Sequence, residues 1–230
     1  DMTDRPCTLI VGAGSGLSAS LAHRFASDGH EIVLAARNTD KLSALCDETG
    51  ASAQTCDATK SDQVAVLFDA IRDRHDRLDL VVYNPSWRPR GPLVDLVSDE
   101  VETALAVTCF GAFLVAQAAT RVMLPRGTGS IFFTGASAGV KGYARSAPFA
   151  MGKFGLRGLA QSMARELSPQ GLHIAHFVID GGIRGVGTSS DSGDRMLDPD
   201  AIAETYHAVH KQHRSAWSWE VELRPWGESF

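Results

Sequence analysis

Short β-branched apolar runs alternate with segments of helical spacing along this 230-residue chain, and that alternation restricts its fold more than any other feature. "CTLIVG" (7–12), "EIVLAAR" (31–37), "SAQTCD" (52–57), "LDLVVYN" (78–84), "GSIFFTGA" (129–136) and "LHIAHFVID" (172–180) read as strands, and the tail "SAWSWEVELRPW" as a last one. Helical patterns fall between them: "SLAHRFASDG", "DKLSALCDETG", "SDQVAVLFDAIRDRH", a long one ending before Pro125, 148–168 stopped by Pro169, and about 199–213. A fully apolar run such as "LDLVVYN" has no solvated face, as a strand buried on both sides requires. Repeated strand–helix units predict an α/β chain with a mostly parallel, seven-stranded, doubly wound sheet and helices on both faces. With no internal repeat or linker, a single domain is expected over 2–230, the stretch at about 181–213 shaping a substrate pocket.

The net charge of -5 is spread with both signs interleaved, so no basic block predicts nucleic acid and no basic amphipathic helix predicts a membrane surface. The most apolar stretch, 104–119, is interrupted by Thr108, Gly111 and Gln117 and reads as too short to span a bilayer. Cys7, Cys46, Cys56 and Cys109 form no C-x-x-C pair, and no secretory leader precedes them, which predicts buried free thiols in a cytoplasmic protein. Asp1 precedes Met2 and is expected to be a remnant of expression. His207, His210 and His213 share a three-residue spacing but lack an accompanying acid or thiol, so a solvated helix face is expected and no metal site.

"IVGAGSGLSASLAHRF" sets glycines between the first strand and its helix. Glycine there permits a tight turn and close approach of a pyrophosphate, and the helix N-terminus offers free N–H groups. The loop residues Gly12, Gly14, Ser15, Gly16 and Leu17 are the predicted phosphate cradle. At the end of the second strand, where a carboxylate would bind the 2′-hydroxyl of NAD, stand Ala36, Arg37 and Asn38. A guanidinium suits a 2′-phosphate, so NADP(H) is expected over NAD(H), with Arg37 and Asn38 as its contacts.

On these residues the chain resembles the short-chain dehydrogenase/reductase family along nearly its whole length. The glycine loop resembles T-G-x-x-x-G-x-G, with Val11 for the threonine and Ser18 for the last glycine. "CDAT" resembles the segment whose acid contacts adenine, which implies roles for Asp57 and Ala58. "YNPS" stands for N-N-A-G, keeping Asn84 and introducing Pro85 and Ser86. "IDGGI" resembles the P-G-x-I loop beside the nicotinamide, keeping Gly181 and Ile183, with Asp180 for the proline. The resemblance implies a Rossmann-type domain and a catalytic tetrad of Asn, Ser, Tyr and Lys. Tyrosine protonates the carbonyl oxygen, lysine holds the ribose and lowers the tyrosine pKa, serine hydrogen-bonds the carbonyl, and asparagine helps hold a water. The matching positions here are Thr108, Ala136, Phe149 and Lys153, so only the lysine is unchanged. The pattern resembles an atypical group lacking the tyrosine and ending in "RPW". Ser137 is next to the serine position but should point away if strand alternation continues. Tyr143 lies six residues before Phe149 and is a candidate substitute acid; Lys153 or a water is another.

A positioned general acid supplies roughly 10²–10⁴-fold, and alignment of donor and acceptor about 7–11 kcal/mol, so Phe149 does not forbid hydride transfer. Three functions therefore stay open: an oxidoreductase of unusual mechanism on a small carbonyl, alcohol or activated alkene; a cofactor-binding regulator or scaffold; and a structural subunit without cofactor. The resemblance also implies a homodimer or homotetramer, in which helices 104–123 and 149–167, with small residues at interior positions (Ala104, Ala112, Ala116, Gly155, Gly158, Ala160), build a four-helix interface and the last strand makes a second contact.

Overall fold

The computed structural model describes residues 5–185 and 195–227. The ends of the expected 2–230 span, and residues 186–194 of the stretch expected at about 181–213 to shape a substrate pocket, lie outside the described residues. Seven strands form one sheet: β1 (Cys7–Val11), β2 (Glu31–Ala36), β3 (Ser52–Thr55), β4 (Leu80–Tyr83), β5 (Gly129–Thr134), β6 (Leu172–Ile179) and β7 (Glu220–Leu223). Their order is β3-β2-β1-β4-β5-β6-β7, and every pairing is parallel. The chain builds outward from β1 to β3, then restarts with β4 on the other side of β1. That reversal leaves a crevice beyond the carboxyl ends of β1 and β4, where such sheets bind ligands.

Helices α1 (Leu17–Ser27), α2 (Ser43–Thr49) and α7 (Pro199–His210) cover one face, packing Leu21, Phe25, Leu45 and Tyr206 onto β-strand residues such as Ile10 and Phe132. Helices α3 (Ser61–Arg74), α4 (Ser98–Leu105), α5 (Gly111–Met123) and α6 (Ala147–Leu167) cover the other, where Leu67, Val115 and Leu156 meet Leu9 and Val81. Central strands are buried on both faces, which is why they lack polar alternation.

The long helix is not uniform. A π-helical turn, Ala106–Phe110, joins α4 to α5. Inside it the Val107 carbonyl accepts a hydrogen bond of 2.6 Å from the Tyr83 hydroxyl. The whole run, Ser98–Arg126, is longer than the 104–119 stretch suggests, and by length and composition alone it would reach across a bilayer. Its buried stripe (Ala112, Val115, Ala116, Ala119, Met123) packs on the sheet, as a core helix does.

Three expectations need correction. Ala104, Ala112, Ala116 and Ala160 face this chain's own core and Gly155 packs on Cys109, so these five serve internal packing, while Gly158 is exposed. His207 and His210 turn inward around Phe25; His210 Nδ1 lies 2.9 Å from Ser130 Oγ, and only His213 of the three is exposed. The tail contributes only four residues to the sheet, because Trp217 leaves it to stack on His173 with ring centroids 4.8 Å apart. All four cysteines are free; Cys7 and Cys56 are buried, Cys46 and Cys109 only partly.

Candidate active site

The site is assembled from the carboxyl ends of β1, β4, β5 and β6. After β1 the backbone turns at Gly12, whose φ is +80°. A side chain there would also meet Pro85 at 2.7 Å, so conformation and space both demand glycine. At Gly14 and Gly16 an added Cβ would meet nothing, which leaves an open cradle at the N-terminus of α1. Ser15 is exposed and does not line the cleft below the loop.

A directed chain of hydrogen bonds locks this loop to the sheet. Ser18 Oγ donates to the Gly12 carbonyl (3.1 Å), and Asn84 Nδ2 donates to Ser18 Oγ (2.8 Å). Thr134 Oγ1 donates to Asn84 Oδ1, and the Tyr206 hydroxyl, 2.8 Å from Thr134 Oγ1, is left to donate to it. Each hydroxyl and one amide N–H is thereby spent on the next acceptor, in a partly buried network. Ser18 and Asn84 are thus bonded to each other. Tyr206, fully buried and stacked on Phe177, was not foreseen from sequence; only its α7 position, far along the chain, carried the information.

Two adjoining cavities share Gly12, Asn84 and Ser86. The first, about 560 Å³, is lined by Arg37, Asn38, Asp57, Ala58 and Pro85, all predicted, and also by Lys41. Lys41 was missed; its signal is a second cation four residues after Arg37 with no acid at the strand end. Asp57 Oδ1 accepts from the Thr59 N–H (3.0 Å) and hydroxyl (2.7 Å). Burial works against its charge, but these bonds and Arg37 prevail and hold the carboxyl below its ordinary range.

The second cavity, about 600 Å³, gathers Gly14, Gly16, Leu17, Ala136, Ser137, Tyr143, Phe149, Lys153, Gly181 and Ile183. Lys153, on α6, is 3% exposed, and its Nζ donates to the Thr134 carbonyl at 2.7 Å. Burial pushes its pKa down to about 8. Phe149, one turn earlier, places its ring centroid 5.7 Å from Nζ. On the same ring sits Arg88, its guanidinium carbon 4.8 Å from the centroid. Arg88 was not singled out from sequence, because a loop has no periodicity to say where it points.

β5 ends at Thr134 and a tight helical turn begins at Ser137, so strand alternation stops before it and both Ala136 and Ser137 line the cavity. The expectation that Ser137 points away is therefore corrected. Thr108 is fully buried, and its Oγ1 accepts from the Trp87 N–H at 3.4 Å; it does not line the cavity. Asp180, in the proline position, is paired with Arg224 of the "RPW" tail, and Pro225 packs against Gly181. The tail therefore braces the 180–183 wall of the site.

A groove at the carboxyl ends of a doubly wound parallel sheet, at the point where the strand order reverses, is where proteins of this fold class hold nucleotides. The short chain dehydrogenase family profile matches residues 6–190, and the chain belongs to that family. It is 31% identical over 160 residues to the 3-oxoacyl-[acyl-carrier-protein] reductase MabA of Mycobacterium tuberculosis, covering 70% of this chain and 62% of that protein, so it spans under two thirds of that relative. A short-chain dehydrogenase structure from Rhodopseudomonas palustris superposes with a TM-score of 0.85 at 32% identity, covering 96% of this chain and 99% of that one. A metagenomic short-chain oxidoreductase solved in complex with NADP gives 0.83 at 27% identity, covering 97% and 98%.

Proposed function

We propose that this chain is an NADP(H)-dependent oxidoreductase that reduces a small carbonyl compound or activated alkene without a tyrosyl proton donor. The observation that carries the reading is the joining of the glycine-loop groove to a cavity holding buried Lys153 beside an apolar Phe149. The residues fit a dinucleotide. Open space at Gly14 and Gly16 admits a pyrophosphate against the α1 N-terminus, and the paired cations Arg37 and Lys41 suit a 2′-phosphate. The NADP complex of the metagenomic relative supports the same choice.

When bound, a reduced nicotinamide supplies a hydride. Lys153, anchored on the Thr134 carbonyl, keeps two ammonium protons for a ribose hydroxyl or substrate oxygen. With a pKa of about 8 it can release a proton near neutrality. Ser137 and Tyr143 line the same cavity and offer hydroxyls to the substrate oxygen. Phe149 excludes water from the reacting carbon and supplies no proton.

The test is titration with NADPH and NADH, followed by NADPH consumption across carbonyls and enones. Tighter NADPH binding with slow turnover is expected, and Arg37→Ala should cost roughly 10-fold or more in NADPH affinity, the worth of a charge-assisted contact. Phe149→Tyr should raise ketone reduction, by at most the roughly 10²–10⁴-fold of a positioned acid. Equal affinity for both nucleotides would overturn the NADP(H) assignment. The missing hydroxyl favours a second reading, a regulator that senses NADP(H); a partner or oligomer change on cofactor reduction, without turnover, would select it. On either reading we infer a cytoplasmic homodimer, supported by the unpaired cysteines and by Phe110, Phe113, Met151 and Phe154 exposed on α6 and the α4–α5 run.

A further inference from the structure

The geometry points to Arg88 as the group that selects the substrate, and to a substrate bearing a carboxylate or phosphate. The inference rests on the oxidoreductase reading of the same cavity and adds the class of molecule it accepts. Arg88 lines the cavity with Lys153 and Ser137, stacked on the ring that stands beside the lysine. A guanidinium lying on an aromatic face is held in place while its N–H donors remain free for a planar anion.

Charge around the cavity supports this. Among the described residues no carboxylate pairs with Arg88. The one acid among the described residues of the cavity wall, Asp180, is already neutralised by Arg224. The two loops at the mouth, 85–92 and 135–146, carry four cations (Arg88, Arg90, Lys141, Arg145) and no acid, in a chain whose net charge is -5. The loops are tied together, since the Gly91 N–H donates to the Arg145 carbonyl at 3.1 Å. A mouth of one sign on an oppositely charged protein attracts anions and raises their local concentration. Neutral carbonyl substrates would leave the Arg88 donors to water.

The experiment uses the full chain saturated with NADP+ and measures calorimetric binding of matched pairs: phenylglyoxylate against methyl phenylglyoxylate, and dihydroxyacetone phosphate against dihydroxyacetone. At least one anion should bind roughly 10- to 100-fold tighter than its neutral twin, the worth of a charge-assisted hydrogen bond. Which pair shows the larger ratio separates carboxylate from phosphate. Arg88→Gln should erase the ratio, and Arg88→Lys, which keeps the charge but not the fork, should restore part of it. In the unaltered protein the anion's affinity should fall with added salt while the neutral twin's does not. Equal binding within both pairs, no binding by any member, or a ratio that survives Arg88→Gln overturns the proposal. NADPH oxidation by neutral carbonyls with no anion preference would overturn it and leave the oxidoreductase reading standing. Anion binding through Arg88 without any NADPH oxidation would do the reverse.

Discussion

Lys153 concentrates the chemistry of the site in one side chain. Its ammonium group is buried, its hydrogen-bond acceptor is a neutral carbonyl, and among the described residues of the cavity no carboxylate is free to balance it. Desolvation therefore lowers its pKa from 10.5 to about 8, favouring the neutral amine in the folded state. Between about pH 8 and 10.5 the unfolded chain holds more protons at this residue, so this group makes stability rise with pH in that window, by up to about 3 kcal/mol. Cys7 and Cys56 act oppositely, because burial raises their thiols to about 12 and about 11 from 9.0, and stability from them falls above pH 9. Urea unfolding of the wild type and Lys153→Met at pH 7.5 and pH 10 separates the effects. The wild type should gain relative to the variant as pH rises. The charge also bears on cofactor: NADPH affinity should weaken as pH passes about 8 in the wild type and stay flat in Lys153→Met. A parallel pH response of the two proteins would rule out a role for this ammonium. Lysine at this place was legible because a long helix fixes its register; Arg88 was not, since its loop has no period to tell inside from outside, and Lys41 was not, since the single helical turn Asp40–Leu42 is too short to show which way it faces.

At the scale of elements, the inner strands were legible to within two residues, because a parallel strand with helices on both faces must be apolar throughout, whereas the edge strand β7, only partly buried, was read too long. The interruption of the long helix was not. Nothing in "ALAVTCFGAF" breaks helical spacing, and the π-helical turn at Ala106–Phe110 depends on a partner from another element. That partner is Tyr83, fully buried at the end of β4, whose hydroxyl takes up the Val107 carbonyl. The bond ties the crevice floor to the helix that carries Thr108. Tyr83→Phe removes the donor and leaves a buried acceptor unmet, which costs about 1–3 kcal/mol. For a chain of this size that lowers the melting temperature by roughly 2–4 °C per kcal/mol. Calorimetry should show the drop with NADPH affinity also reduced, since Val107 and Tyr83 line the cavity that holds Arg37 and Asp57. An unchanged melting temperature would mean that the π-helical turn holds itself.

At the scale of the whole molecule, the doubly wound architecture follows from alternation alone, whereas the outer surface does not. Most of the small residues on α4, α5 and α6 are consumed by this chain's own packing, where Gly152 lies against Thr108 and Gly155 against Cys109, and only Gly158 of those named from sequence is exposed. What the helices show outward is larger. Phe110 and Phe113 stack with centroids 6.1 Å apart and are both exposed, and Met151 and Phe154 stand exposed on α6. Large apolar side chains clustered on one surface are costly to leave in water, at roughly 25 cal/mol for each Å². A second copy presenting the same helices would cover them by two-fold symmetry, a self-complementary contact. Light scattering after size exclusion should therefore report twice the 24.6 kDa chain mass. Phe110→Glu with Phe154→Glu should shift it to one, with the sheet intact by circular dichroism, because both side chains lie outside the core. Monomer mass in the wild type at micromolar concentration would remove the dimer, and would leave the aromatic face without the partner that its exposure calls for.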